Sequence, residues 1–390
     1  MEKKTVLMVH NFYQIGGGEH TVFRNEVDLL RENGHRVIEY TRSNDELKES
    51  KIKMLLLPIT TIWSFKTYFE VKRIIREQQI EIVHCHNTFP LISPSVYYAA
   101  RSLNVPVIQT VHNFRFLCPN GLFYCDGNIC EQCCKKGNFI DAIKYKCYRD
   151  SRIQTLVVIA MLRFHRMIGT YRKISYIFLT EFNKTKFAKL VDVDSDQVYI
   201  KPNFVDKGKN INDRNIYGKK FVFASRLDEN KGIKQLLENW ENLPKDFELV
   251  VFGDGPLKEL VIEKAGTNSN IKYFGFQKQE TIFKELSTSV ALMFPSICYE
   301  GFPMIIAESM SIGCPVVCPD LGNHGDIVKI SNGGVVYENG KESFEAALDD
   351  IIENNAFYSS KCLDYYNDVL SKEMNYKKVV EIYDKARVIK

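Results

Sequence analysis

The chain has 390 residues, 45% hydrophobic and 26% charged, with 22 Gly, 12 Pro and a formal net charge of +4. This ordinary globular composition excludes disordered, collagen-like and coiled-coil chains, and at about 100–200 residues per domain it predicts two domains, each with its own core. Its longest apolar runs, over 54–59 and 156–162, fall far short of the ~18–20 residues of a membrane span. Residues 1–5 are charged and the apolar stretch 6–9 runs straight into His10 and Asn11. A signal peptide's long apolar segment and cleavage site are missing, so a cytoplasmic location is expected.

Strands and helices alternate along the first half. Residues 6–10 read as a strand that ends in the glycine loop Gly16-Gly17-Gly18. Phe23, Val27 and Leu30 then mark one helix face, with Gly34 as its terminator. A strand over 37–40, a helix over 65–76 and an extended segment over 80–84 follow. Ser93 and Pro94 suit the cap and first position of a helix, and 106–111 is another strand. In the second half, strands are predicted over 221–224, 248–252, 271–274, 291–294, 315–318 and 335–337. Helices lie between them, such as 233–240 with Ile233, Leu236, Leu237 and Trp240 on one face. This alternation predicts an α/β protein with two doubly wound parallel-sheet domains of Rossmann-like type facing across a cleft. The junction is expected at Lys201-Pro202-Asn203-Phe204 and the polar stretch 207–215.

Charge is unevenly spread. Residues 1–195 hold 28 Lys+Arg against 19 Asp+Glu, a net of +9, and residues 196–390 carry 24 against 29, a net of −5. Within 135–173 there are ten basic residues and only Asp141 and Asp150 as acids, with Leu156, Val157, Ile159, Met161, Leu162 and Ile168 interleaved. Either an amphipathic helix near an anionic membrane or an ordinary surface helix with a core stripe fits this pattern.

Loops at strand ends carry the unusual residues. After the strand 291–294 come Glu300-Gly301 and then Phe302-Pro303-Met304, where Pro303 suits a first helical position and the free first-turn amides make an anion site. Glu308 lies inside that helix. Two carboxylates beside an anion site point to a ligand with both phosphate and sugar hydroxyls. Arg226 and Lys231 bracket the turn after the strand 221–224 and can reach a diphosphate, although they also read as a solvated pair beside Asp228 and Glu229. Gly253 and Gly255 allow close backbone approach to a flat ligand such as a base.

These residues resemble the retaining glycosyltransferases of family 4, which have the two-domain GT-B fold. Glu300 and Glu308 reproduce that family's E-x7-E, and Arg226 and Lys231 its R-x4-K. Gly253–Pro256, Tyr273-Phe274-Gly275, Gly313-Cys314-Pro315-Val316, Gly16–Glu19, Thr110–Asn113 and Lys201–Asp206 follow in the family's order over nearly the whole chain. The resemblance implies that Arg226 and Lys231 neutralise the donor diphosphate and Glu308 binds the ribose. It implies that Glu300 holds the transferred sugar beside the amides of Phe302, Met304 and Ile305. Gly17 and Gly18 would close the diphosphate site, His112 would contact the sugar near the reacting centre, and Gly253, Gly255 and Gly275 would line the base. The domains would be 1–200, with a cysteine-rich insertion at 115–150 and a C-terminal helix 370–390 rejoining it, and 201–369, which binds the nucleotide sugar. The expected activity is transfer of a hexose or N-acetylhexosamine from a nucleotide sugar, most simply a UDP-sugar, to a glycan or lipid-linked glycan in cell-surface polysaccharide synthesis. The enzyme would be peripheral at the inner face of the membrane through 135–173.

No catalytic metal is expected, because this architecture uses cations of its own side chains. The D-x-D patterns at Asp192, Asp194 and Asp196 read as a solvated loop. His84 and His86 share a strand face and read as one buried and one cleft-facing histidine. Six of the 11 cysteines fall between Cys118 and Cys147, and Cys130 and Cys133 form a C-x2-C corner of a possible structural zinc site. Cys118 and Cys147 flank that corner at similar distances, and relatives with this insertion look similar at these four positions. Free thiols are the alternative. A nucleotide-sugar 2-epimerase of the same fold and a non-catalytic nucleotide-sugar-binding module are the competing functions. Nucleic-acid binding lacks any recognition motif.

Overall fold

A computed structural model of the chain describes residues 2–14, 16–48, 51–207, 214–338 and 340–389. Of the predicted junction 207–215, residues 208–213 lie outside the described residues. The chain divides into two compact units, Met1–Cys125 with Cys130–Pro202 and Asn375–Lys390, and Asn203–Met374 with Asp126–Ile129.

The first unit runs β1 (Thr5–Phe12), α1 (Gly18–Glu32), β2 (Arg36–Ser43), α2 (Lys51–Ile62), α3 (Phe65–Gln78), β3 (Ile82–Asn87), α4 (Ser95–Arg101), β4 (Val107–Val111), α5 (Arg152–Met167), β5 (Ser175–Phe178) and β6 (Val198–Ile200). Its six strands pair in parallel in the order β2-β1-β3-β4-β5-β6. Phe23, Val27 and Leu30 of α1 are buried against Val6 and Met8 of β1, as the spacing predicts. α4 opens one residue later than expected. Ser93 stands at φ 63° and its Oγ accepts the Ser95 amide at 3.2 Å, so Pro94 takes the cap position and not the first helical one. The order reverses between β1 and β3, which makes the loops after these strands the natural ligand-facing ones.

The second unit contains β7 (Lys219–Ala224), α6 (Ile233–Trp240), β8 (Phe247–Phe252), β9 (Ile271–Tyr273), β10 (Ala291–Met293), α7 (Met304–Ser311), β11 (Val316–Pro319), α8 (Gly322–Ser331) and β12 (Gly334–Tyr337). The parallel order is β9-β8-β7-β10-β11-β12, with its reversal between β7 and β10. Phe221, Phe223, Leu249 and Val251 belong to one buried cluster, and Val222, Ala224, Val250 and Phe252 to another. Both faces of the sheet are therefore covered, as a doubly wound sheet requires. Ile233, Leu236, Leu237 and Trp240 of α6 are all buried, each contributing about 1.5–3 kcal/mol. The closing helix α9 (Lys372–Lys385) carries the chain back into the first unit from Asn375, where Val379, Val380, Ile382 and Tyr383 join its core.

Candidate functional site

In the second unit, the loops that follow β7 and β10 flank the reversal of strand order, and there Lys231 and Glu300 meet. Lys231 ends the turn Glu229–Lys231, and Gly232 follows at φ +71°. A Cβ on Gly232 would lie 1.9 Å from the Pro295 carbonyl oxygen, so only glycine lets this turn press on the loop after β10. The Ile297 amide donates to the Asn230 carbonyl at 3.0 Å across the same contact. Lys231 Nζ consequently donates to Glu300 Oε1 at 2.7 Å, and Ser296 Oγ donates to the same oxygen at 2.6 Å. Burial pushes the Glu300 carboxyl up, but Lys231 and Ser296 outweigh it and hold the group below its ordinary value. Burial pushes Lys231 down, and Glu300 more than restores it. Both are charged at neutral pH. Asn323 of α8 donates to the Glu300 carbonyl and, at 2.9 Å, to that of Gly301, which fixes the loop.

α7 begins at Met304, with Pro303 at its cap position; the expectation of Pro303 as the first helical residue is corrected by one. Its ψ of 103° is extended, which keeps it outside the helix. The Ile306 amide bonds back to the Pro303 carbonyl at 3.1 Å. The Met304 and Ile305 amides, at the opening of the helix, have no intrahelical acceptor, the arrangement that suits an anion. Phe302, Met304 and Ile305 are partly buried against the core, which anchors this opening. Glu308, one turn into α7, accepts from Gln279 Nε2 at 2.6 Å, and burial raises its carboxyl. Arg226 is exposed and bonded to its neighbour Asp228, with Nε 2.8 Å from Oδ2 and Nη2 3.1 Å from Oδ1, and the Asp228 charge in turn acts on Lys231.

Gly253 and Gly255 answer a requirement of the chain itself. Their φ angles are +137° and +157°, and a Cβ would lie 1.9 Å from Ser225 O and 2.8 Å from Leu227 N respectively. Close approach to the chain after β7 therefore requires glycine at both positions. Gly275 accepts the Gly253 amide at 2.9 Å and takes φ +66°.

In the first unit, His112 follows β4 and its Nε2 lies 2.9 Å from His86 Nδ1. Burial lowers His112 to about 3, so the imidazole is neutral. Both His84 and His86 are buried, which corrects the expectation that one faces a cleft. Behind them lies a charged pair that sequence reasoning missed. Glu26 Oε2 accepts from Lys201 Nζ at 3.1 Å, and the two side chains are 0% and 1% exposed. Lys201 also donates to Asn375 at 3.2 Å, and His84 bonds Tyr383 at 2.8 Å and Thr110 at 2.7 Å. Truncating either charge would leave the other buried and unpaired. Gly17 is the cap residue of α1 and, with Gly18, is exposed; a Cβ at Gly17 would meet nothing within 4 Å. Asn113 donates to Glu19 at 3.3 Å, which ties the His112 loop to the start of α1. Burial raises the Glu19 carboxyl to about 7.

Cys118, Cys130, Cys133 and Cys147 line one small cavity together with Cys125. Two groups among the described residues bring three ligand atoms within 4.8 Å of one another, His10 with Glu19 and His20, and Glu26 with His84 and His86. The cysteines converge without reaching that spacing, whereas a tetrahedral thiolate set needs sulfurs about 3.8 Å apart. Asp192, Asp194 and Asp196 are exposed, and Asp196 pairs with Arg387 at 2.6 Å.

Comparison with known proteins adds the relationship. Residues 16–209 match the family described as Glycosyltransferase Family 4, and residues 206–367 match Glycosyl transferases group 1. The chain is 21% identical over 360 residues to an uncharacterized glycosyltransferase of Methanocaldococcus jannaschii, covering 85% of this chain and 82% of that one. It is 26% identical over 330 residues to the UDP-Gal:alpha-D-GlcNAc-diphosphoundecaprenol alpha-1,3-galactosyltransferase of Escherichia coli, covering 78% and 75%. Its fold is similar to that of Anabaena HepE solved in complex with UDP, at a TM-score of 0.66 and 14% identity over 97% and 99% of the two chains.

Proposed function

The chain belongs to glycosyltransferase family 4 and has its GT-B fold, and from that premise we propose that it transfers a hexose or N-acetylhexosamine from a UDP-sugar to a glycan or lipid-linked glycan, with retention at the anomeric carbon. The observation that carries this reading is the partly buried Lys231–Glu300 pair in the loops that lead into α6 and α7. A lysine already charged and held at a helix N-terminus offers a diphosphate two kinds of positive partner without a metal. Glu300 then takes hydroxyls of the transferred sugar, Glu308 those of the ribose, and Arg226 leaves Asp228 for the outer phosphate. His112, neutral, serves as a hydrogen-bonding partner of the sugar. Gly17 and Gly18 meet the diphosphate, and Gly253, Gly255 and the Gly275 turn line the base. In the reaction the bond from the anomeric carbon to the diphosphate oxygen breaks as the acceptor oxygen bonds on the same face. The acceptor's proton passes to the departing diphosphate.

A UDP donor is supported by the nucleotide that HepE holds, and a lipid-linked acceptor by what the E. coli relative is named for. Cell-surface polysaccharide synthesis, a position at the inner face of the membrane through 135–173, and a structural zinc held by Cys118, Cys130, Cys133 and Cys147 are parts of the same proposal. The test is nucleotide release from UDP-, GDP- and ADP-sugars without acceptor. Wild type should slowly hydrolyse a UDP-sugar, and Glu300→Ala should lower that rate by about 10²–10³, the cost of removing one transition-state partner. Absence of any nucleotide binding by wild type would overturn the reading.

A further inference from the structure

Two neighbouring helices of the first unit, α2 and α5, turn apolar side chains to solvent. In α2, Ile52, Leu55, Leu56 and Ile59 recur at i, i+3, i+4 and i+7, a single helix face, and all four are exposed, Ile52 by 70% and Leu55 by 80%. In α5, Val158, Ile159, Met161 and Leu162 form the buried stripe, while Ile153 and Met167 are 74% and 78% exposed and Leu156 is exposed between them. Both helices thus have an apolar face left over after the core is satisfied. The other side of α2 and the start of α5 enclose a cavity of about 350 Å³, walled by Leu57, Pro58, Phe89, Pro90, Val157 and Val158.

The surround of this patch is basic. Arg149 lines this cavity, Arg152 and Arg163 of α5 are exposed, and of the acids within 135–173, Asp141 and Asp150 are each already paired to a lysine, at 2.7 and 3.5 Å. An apolar face ringed by cations is complementary to an anionic lipid leaflet, whose chains meet the one and whose phosphates meet the other. No helix among the described residues is long and apolar enough to cross a membrane, so contact is confined to the surface.

We propose that α2 and α5 form a bilayer-docking face, with Ile52, Leu55, Ile59, Ile153, Leu156 and Met167 entering the hydrocarbon edge of an anionic leaflet. The cavity between the helices admits one aliphatic chain from that leaflet. This deepens the reading of a lipid-linked acceptor, on which it rests, and it moves the principal contact from the basic stretch alone to α2.

Flotation of the full chain with phosphatidylglycerol-containing vesicles, and with phosphatidylcholine vesicles alone, tests it. Wild type should float with the anionic vesicles and stay largely soluble with the neutral ones. The double variant Leu55→Glu, Ile59→Glu should float about tenfold less, yet keep the wild-type melting temperature and acceptor-free donor hydrolysis, because both side chains are solvent-exposed. Glu300→Ala should float like wild type, which separates failure of this proposal from failure of the transferase reading. Equal flotation of wild type and the double variant would overturn it. So would absence of wild-type flotation together with a dimer that the double variant dissociates, which would assign the face to a second copy of the chain.

Discussion

A methyl group added at Gly17 would meet no protein atom within 4 Å, whereas one at Gly253 would drive into the Ser225 carbonyl oxygen. Gly17 also has φ −137° and ψ 179°, open to any residue. Nothing in the chain itself demands glycine there, and a ligand does in the proposed function. Gly17→Val should therefore leave urea unfolding unchanged within about 0.5 kcal/mol while weakening donor hydrolysis. Gly253→Ala should cost about 2 kcal/mol or more through clash and a positive φ. The sequence marks both positions equally, because close approach to a ligand and close approach to another loop call for the same residue. Glu300, Glu308 and Lys231 were legible from spacing. Gly232, Ser296 and Asn323 were not, since each acts on a backbone group or a carboxylate that only folding brings near.

Among the elements, those with a clear period were read well. Phe23, Val27 and Leu30 mark α1, and α6 spans the predicted residues 233–240. The helix α2 escaped because residues 54–59 are apolar on every side and show no period. The structure explains that composition by a cavity on one side and solvent on the other. β5 and β6, four and three residues long, were too short to stand out. The cysteine-rich segment was legible as a cluster, but its sulfur spacing was not. If zinc holds it, the ion must draw the thiols together and take them as thiolates against the burial that now pushes Cys133 up to about 12. Purified protein should then contain one zinc per chain, lost in Cys130→Ser; wild type without stoichiometric zinc would leave the thiols free.

For the molecule as a whole, the histidines set the response to acid. All eight lie below their ordinary value, among them His10 at about 2, His112 at about 3 and His84 at about 4, each chiefly through burial. The unfolded chain binds protons at these sites from about pH 6.5 downward and the folded chain does not, so stability is lost as pH falls through that value. Glu19, raised to about 7, and Glu308, also raised by burial, act in the opposite sense above about 4.3, but they are two groups against eight. The urea midpoint should fall steadily from pH 7 to pH 5; a flat profile would mean that the imidazoles are reached by water.

The return of the chain through Asn375 fixes an order of events during synthesis. The second unit's main body, 203–374, is one unbroken stretch and is complete when it leaves the ribosome. The first unit, although made earlier, then still lacks Asn375 over Lys201 and Tyr383 over His84. Its buried charges stay incompletely covered until Asn375 and Tyr383 are made. The body of the half translated second is thus able to close before the first unit is complete, the reverse of the usual N-terminal-before-C-terminal order.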